Sequence, residues 1–152
     1  MEQNFKPQLE EVKQAISAGE KSLSLAHNLE DKLKSAKNWG FSDILGGGML
    51  SGVVKHNKLE DAQIIANELQ SQLKLFNSQS AGITIDENIE VSIDDLTKTI
   101  DIWWNDVFTN VSVYNKTKKY LDKVRELQTN IKHALERLYN LQKELETKIL
   151  RQ

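Results

Sequence analysis

Val113, Thr117, Tyr120, Val124, Leu127, Ile131, Ala134, Leu138, Leu141 and Leu145 follow one another at alternating steps of four and three residues. No glycine or proline interrupts the chain between Val113 and Leu150. Such steps keep to one side of a 3.6-residue turn, so the side chains form a single stripe along an α-helix. A run of ten in step predicts a helix roughly 57 Å long at 1.5 Å per residue if it reaches Leu150. A helix of that length has to hide its stripe against other long helices, because a rounded core covers only a few turns.

Two further segments carry the same signal. From Gln8 to Lys37 the apolar positions are Leu9, Val12, Ile16, Leu23, Ala26 and Leu33, which predicts a first helix about 45 Å long. Pro7 suits its first turn, and Gly19 falls on the stripe, where a missing side chain lets another helix come close. Leu59, Ala62, Ala66, Leu69, Leu73 and Phe76 mark a second helix that is expected to end before the polar NSQSAG. Its start is open, either afresh at Asn57, which forms a capping-box spacing with Glu60, or further back among the glycines.

Between the second and last helices the pattern changes. Ile83 and Ile85, then Ile89 and Val91, flank Asp86-Glu87-Asn88, the writing of either a very small β-hairpin over 83–91 or an extended loop. Ser92, Asp94 and Asp95 read as a helix start, opening a shorter helix from about Ile93 to Phe108 with Leu96, Ile100, Trp103 and Val107 on its stripe. Adjacent Trp103 and Trp104 point about 100° apart, so this helix needs two neighbours or a second chain.

The expected architecture is therefore all-α: an elongated antiparallel helical bundle or coiled coil of three long helices and one shorter one, in one domain over 1–152. Narrow stripes of about two residues in seven leave little core per helix, which makes a dimer or a helical partner a natural completion. Charge supports a directional assembly. Residues 1–115 hold 10 basic and 17 acidic side chains, and residues 116–152 hold 10 and 5, so the acidic stretch 86–106 and the basic last helix are expected to set orientation. The basic residues of that helix are interleaved with glutamates, which does not make a nucleic-acid face.

Chemistry-bearing motifs are scarce. There is no cysteine, hence no disulfide framework or thiolate zinc site. No histidine follows a glutamate by three residues, as bundled di-iron sites require, and His56 with Glu60 supplies two ligands at most. The glycines at 46–48 lack the spacing of a Walker loop, and no G-x-S-x-G elbow occurs. A non-enzymatic protein without cofactor or metal is expected. The opening MEQNFKPQLEE has neither a basic nor an apolar leader region, and no 18-residue stretch is apolar throughout, so a cytoplasmic location is expected.

The stretch WGFSDILGGGMLSGVVKH, residues 39–56, is expected to form a buried, irregular hairpin end between the first two helices, its glycines giving the backbone angles a tight reversal needs. A competing expectation keeps it helical, with Gly48 and Gly52 one turn apart. A third lets Phe41, Ile44, Leu45, Met49, Leu50, Val53 and Val54 dip into a bilayer, as in a membrane-associating or toxin-like helical protein.

Trp39-Gly40, Asp43, Leu45-Gly46-Gly47-Gly48, Lys55-His56, Leu59 and Ala62, together with Ile102-Trp103-Trp104-Asn105-Asp106-Val107-Phe108-Thr109, resemble a group of uncharacterised bacterial coiled-coil proteins. There, similar W-G-x-x-D-x-x-G-G-G, K-H and aromatic-x-D-x-F segments lie between coiled-coil helices. The resemblance covers about a quarter of the chain and implies an all-helical fold, with the glycine stretch and the tryptophan helix belonging together. On that basis Trp39, Asp43, Gly46, Gly47, Gly48, His56, Trp104 and Asp106 form the candidate interaction patch. The expected function is that of a helical scaffold or interaction protein.

Overall fold

The computed structural model describes the backbone of residues 4–46, 49–83 and 113–151, and within them the side chains of 4–35, 61–83, 118 and 120–151. Every regular element among the described residues is α-helical. Helix α1 spans Lys6–Gly46, α2 spans Met49–Ala81 and α3 spans Val113–Leu150. The shorter helix expected at 93–108 and the hairpin expected at 83–91 lie outside the described residues, apart from Ile83, whose amide donates to the Ser80 carbonyl at 3.1 Å.

The last helix has the bounds its stripe predicts. The first two exceed theirs. Helix α1 starts where Asn4 Oδ1 accepts the Lys6 amide at 3.2 Å, a side-chain cap, with Pro7 in the first turn, where its missing N–H costs nothing. It then runs for 41 residues, roughly 60 Å, through Trp39 and Asp43 to Gly46. Helix α2 begins already at Met49 and continues through Asn77-Ser78-Gln79-Ser80 to Ala81. Of the hairpin end expected over 39–56, the irregular backbone is corrected, since 39–46 and 49–56 are helical; the reversal itself falls at positions 47 and 48, outside the described residues. Apolar residues such as Ile44, Leu45, Leu50, Val53 and Val54 outnumber the glycines there, and each glycine costs only about 1 kcal/mol in a helix. The expected stop at NSQSAG fails for a related reason, since polarity alone lacks the proline or left-handed glycine that ends a helix.

Helix α1 is the hub. It packs along both α2 and α3, while α2 and α3 make no close backbone approach to each other among the described residues. Both pairings are antiparallel. Ala18 lies level with Gln72 and Lys32 with Asp61, whereas Phe5 lies level with Lys148, Glu20 with Tyr139 and Glu30 with Arg125. Serving two neighbours widens the buried face of α1. Beside the striped Val12, Ile16, Ala26 and Leu33 it buries Ala15, Ala18, Ser22 and Leu29. In α3, Leu121, Gln128 and Leu135 join the striped residues in the same way, so the seams are broader than the two-in-seven expectation.

One core cluster joins the three helices, with Leu29, Leu33, Leu69, Leu73, Phe76, Ile131 and Leu138 fully buried. Small residues set its spacing. Ala15, Ala18, Gly19, Ser22 and Ala26 line the buried side of α1, and a Cβ placed on Gly19 would lie 2.7 Å from Leu135 Cδ2 and 2.8 Å from Phe76 Cε1. Side chains from both neighbouring helices therefore fill the space that glycine leaves. The Ser22 hydroxyl, fully buried at the same level, donates to the Ala18 carbonyl of its own helix at 2.9 Å, so its polarity is satisfied without a partner from outside α1.

Candidate interaction surface

Three kinds of feature on this scaffold can meet another molecule: the polar contacts along the α1–α3 seam, the clefts between helices, and apolar side chains outside the core. The α1–α3 seam is fixed by Glu30. Its carboxylate accepts from Arg125 Nε at 2.7 Å and from Gln128 Nε2 at 3.3 Å, while Gln128 Nε2 also donates to the Ala26 carbonyl at 3.2 Å. Lys34 Nζ stands 3.9 Å away. The Arg125 hydrogen bond outweighs the opposing effect of burial, so the Glu30 carboxyl titrates below the ordinary carboxylate value of 4.5. About three turns beyond Gln128 along α3, Tyr139 donates its hydroxyl to Glu20 Oε1 at 2.7 Å. Partial burial first, and the adjacent carboxylate second, push the phenol up to about 12. These groups hold one another and are arranged as helix fasteners.

Two clefts among the described residues differ. One lies between α1 and α2, a groove of about 550 Å³ lined by Lys21, Ser24 and Leu25 on one side and Asn67, Glu68, Ser71 and Gln72 on the other. The second, about 210 Å³, sits near the start of α1, between Gln8, Glu11 and Val12, the end of α2 at Gly82 and Ile83, and Leu141 and Leu145 of α3. Neither holds a histidine or a cluster of carboxylates. Among the described residues no three of His, Cys, Asp or Glu stand close enough together to hold a metal ion.

The outer side of α2 carries the feature that sequence reading missed. Ile64 is 57% exposed and Leu75 45% exposed, although both are large and apolar. They are eleven residues apart, three helical turns, so they project within about 20° of each other, away from the Ala62-Ala66-Leu69-Leu73-Phe76 stripe. The signal was present as two isoleucines in a row at 64 and 65, only one of which a single stripe can accommodate.

Of the expected interaction patch, Trp39, Asp43 and Gly46 have their backbone in the last turns of α1, and His56 has its backbone in the first turns of α2. The helices bring those four positions to one end of the α1–α2 pair, and their side chains lie outside the described residues. Gly47, Gly48, Trp104 and Asp106 lie outside them altogether. His27 and His133 are exposed, His27 Nδ1 standing 3.9 Å from Glu30 Oε1. No protein family, curated protein or solved structure matches the chain. Among the described residues no helix is long and apolar enough to cross a membrane.

Proposed function

We propose that the chain is a non-enzymatic interaction or scaffold protein, an elongated antiparallel helical bundle of coiled-coil type that works by self-association or by receiving a partner helix. The observation that carries this reading is the second apolar line on α2, where Ile64 and Leu75 stay in water while the opposite side of the same helix is buried without a gap. Fully burying such a side chain is worth about 1.5–3 kcal/mol, so the exposed halves of these two offer about 1 kcal/mol each, a driving force for association independent of any catalytic group. The α1–α2 groove supports it too, since it presents two serines and the opposite charges of Lys21 and Glu68 around Leu25, a lining suited to seating a side-chain row.

Light scattering over a wide concentration range tests the reading. Self-association gives a mass rising above the 17.4 kDa of one chain, and a constant 17.4 kDa at every concentration overturns self-association and leaves only the partner-helix form of the reading. Flotation with anionic and neutral vesicles is the companion measurement. Recovery of the protein with lipid would replace this reading by one in which residues 39–56 enter a bilayer.

A further inference from the structure

We propose that the exposed side of α2, along the edge of the groove between α1 and α2, receives α2 of a second copy of this chain, in an antiparallel two-fold pairing centred between Leu69 and Gln70. The inference rests on the association reading above and names its partner and its face. Three relationships carry it. First, Ile64 and Leu75 are placed symmetrically about that centre, as are Glu68 and Ser71, and all four share one side of α2. A two-fold axis there sets Ile64 of each copy against Leu75 of the other, which covers both exposed apolar residues with each other.

Second, the middle of the groove is shallowly lined. Ser24 on the α1 side and Ser71 on the α2 side line it with short side chains, leaving about 550 Å³ in which side chains of the second copy can settle. Third, the charges fit. Gln72 reaches the Ala18 carbonyl at 3.5 Å, and Lys21 lines the groove together with Ser71, so Lys21 stands across from Ser71. The same two-fold axis brings Glu68 of the second copy beside Ser71 and therefore opposite Lys21. Within one chain neither Lys21 nor Glu68 has an ion pair among the described residues, and both are exposed. The pairing supplies two Lys21–Glu68 contacts per dimer, related by symmetry.

Ultracentrifugation of the full chain tests the pairing. The expected result is a dimer in which Lys21→Glu alone and Glu68→Lys alone each weaken association about tenfold, while the K21E/E68K double variant recovers it. Circular dichroism checks that these exposed substitutions leave the helices intact. Cysteine crosslinking fixes the direction, because the chain has no cysteine of its own. Under oxidation, I64C chains mixed with L75C chains are expected to form a disulfide-linked dimer, and neither variant alone to do so. A dimer indifferent to both charge reversals, or I64C chains crosslinking to themselves, overturns the pairing and leaves the association reading standing. A wild-type chain that stays monomeric at millimolar concentration overturns both the pairing and self-association.

Discussion

Phe76 of α2 packs its ring edge against the bare Cα of Gly19, so closely that a Cβ at position 19 would come within 2.8 Å of Cε1 and 3.0 Å of Cζ. Leu135 of α3 closes the other side at 2.7 Å. Position 19 is therefore a place where side chains of both neighbouring helices close on α1, and no side chain fits there without displacement.

Gly19→Ala is expected to lower stability by about 1 kcal/mol. The helix gains about 1 kcal/mol by losing a glycine, but overpacking a closed core costs about 1–3 kcal/mol, and fully buried Phe76 has little room to yield. Gly82→Ala is the control. Nothing lies within 4 Å of a Cβ there and the backbone is not left-handed, so a gain of about 0.5 kcal/mol is expected. Urea unfolding measures both. If crowding by Phe76 is the cause, the G19A/F76L pair loses less than the two single changes together.

Gly19 also shows what a sequence discloses and what it withholds. Its place on the stripe betrayed a close approach, because periodicity fixes which side of a helix a residue occupies. That two helices rather than one use the gap was not legible, since a stripe has no width until its neighbours are counted. Ala15, Ala18 and Leu29 went unread for the same reason: they belong to the flank of α1 that only a second neighbour buries. In α2 the stripe positions Ala62, Ala66, Leu69, Leu73 and Phe76 are all buried, with only Ser80 added to them among the described residues, because that helix has one partner there. Helix ends were less legible, as glycine and polar residues disfavour a helix by amounts that neighbouring turns offset. Ile64 and Leu75 escaped notice since they follow no stripe of the folded chain, and that mismatch is what now marks them as contact residues.

The Glu30–Arg125 contact is expected to make stability fall in acid. Glu30 holds its proton less tightly in the folded chain than in the unfolded one, chiefly because Arg125 donates to it. The contribution is complete above the ordinary carboxylate value of 4.5 and is lost as pH falls through the lower folded value. Arg125→Gln is expected to cost about 0.5–1 kcal/mol near neutral pH and almost nothing near pH ~3, because Arg125 is about half exposed and water already screens the pair. Unfolding curves at the two pH values decide it. An equal loss at both would show that the arginine acts through packing of its stem.

At the alkaline end the relevant group is Tyr139. Its phenol is pushed up to about 12, so the folded chain retains a proton that the unfolded chain releases near 10. Stability from the Tyr139–Glu20 hydrogen bond is full below about 10 and is lost as pH rises through the folded value. The difference in phenolate absorbance between the wild type and Tyr139→Phe is expected to show a phenol that ionises late. Tyr139→Phe should remove that late step, and Glu20→Gln should move it to lower pH by removing the adjacent negative charge. A late step that survives Tyr139→Phe would place the hindered phenol elsewhere.

Ser80 continues the buried line of α2 one step beyond Phe76, is 6% exposed, and has no hydrogen-bond partner for its hydroxyl oxygen among the described residues. A hydroxyl hidden from water without a partner costs about 1–3 kcal/mol, whereas a methyl group at the same place costs nothing and favours the helix slightly. Ser80→Ala is therefore expected to raise stability by about 1 kcal/mol, with Ser78→Ala, at an exposed position of the same turn, changing it by less than about 0.5 kcal/mol. The comparison reports on how far α2 keeps its register. Were the helix to end near Phe76, as the polar run after it suggests by composition alone, both serines would lie in water and the two substitutions would be indistinguishable in a thermal melt.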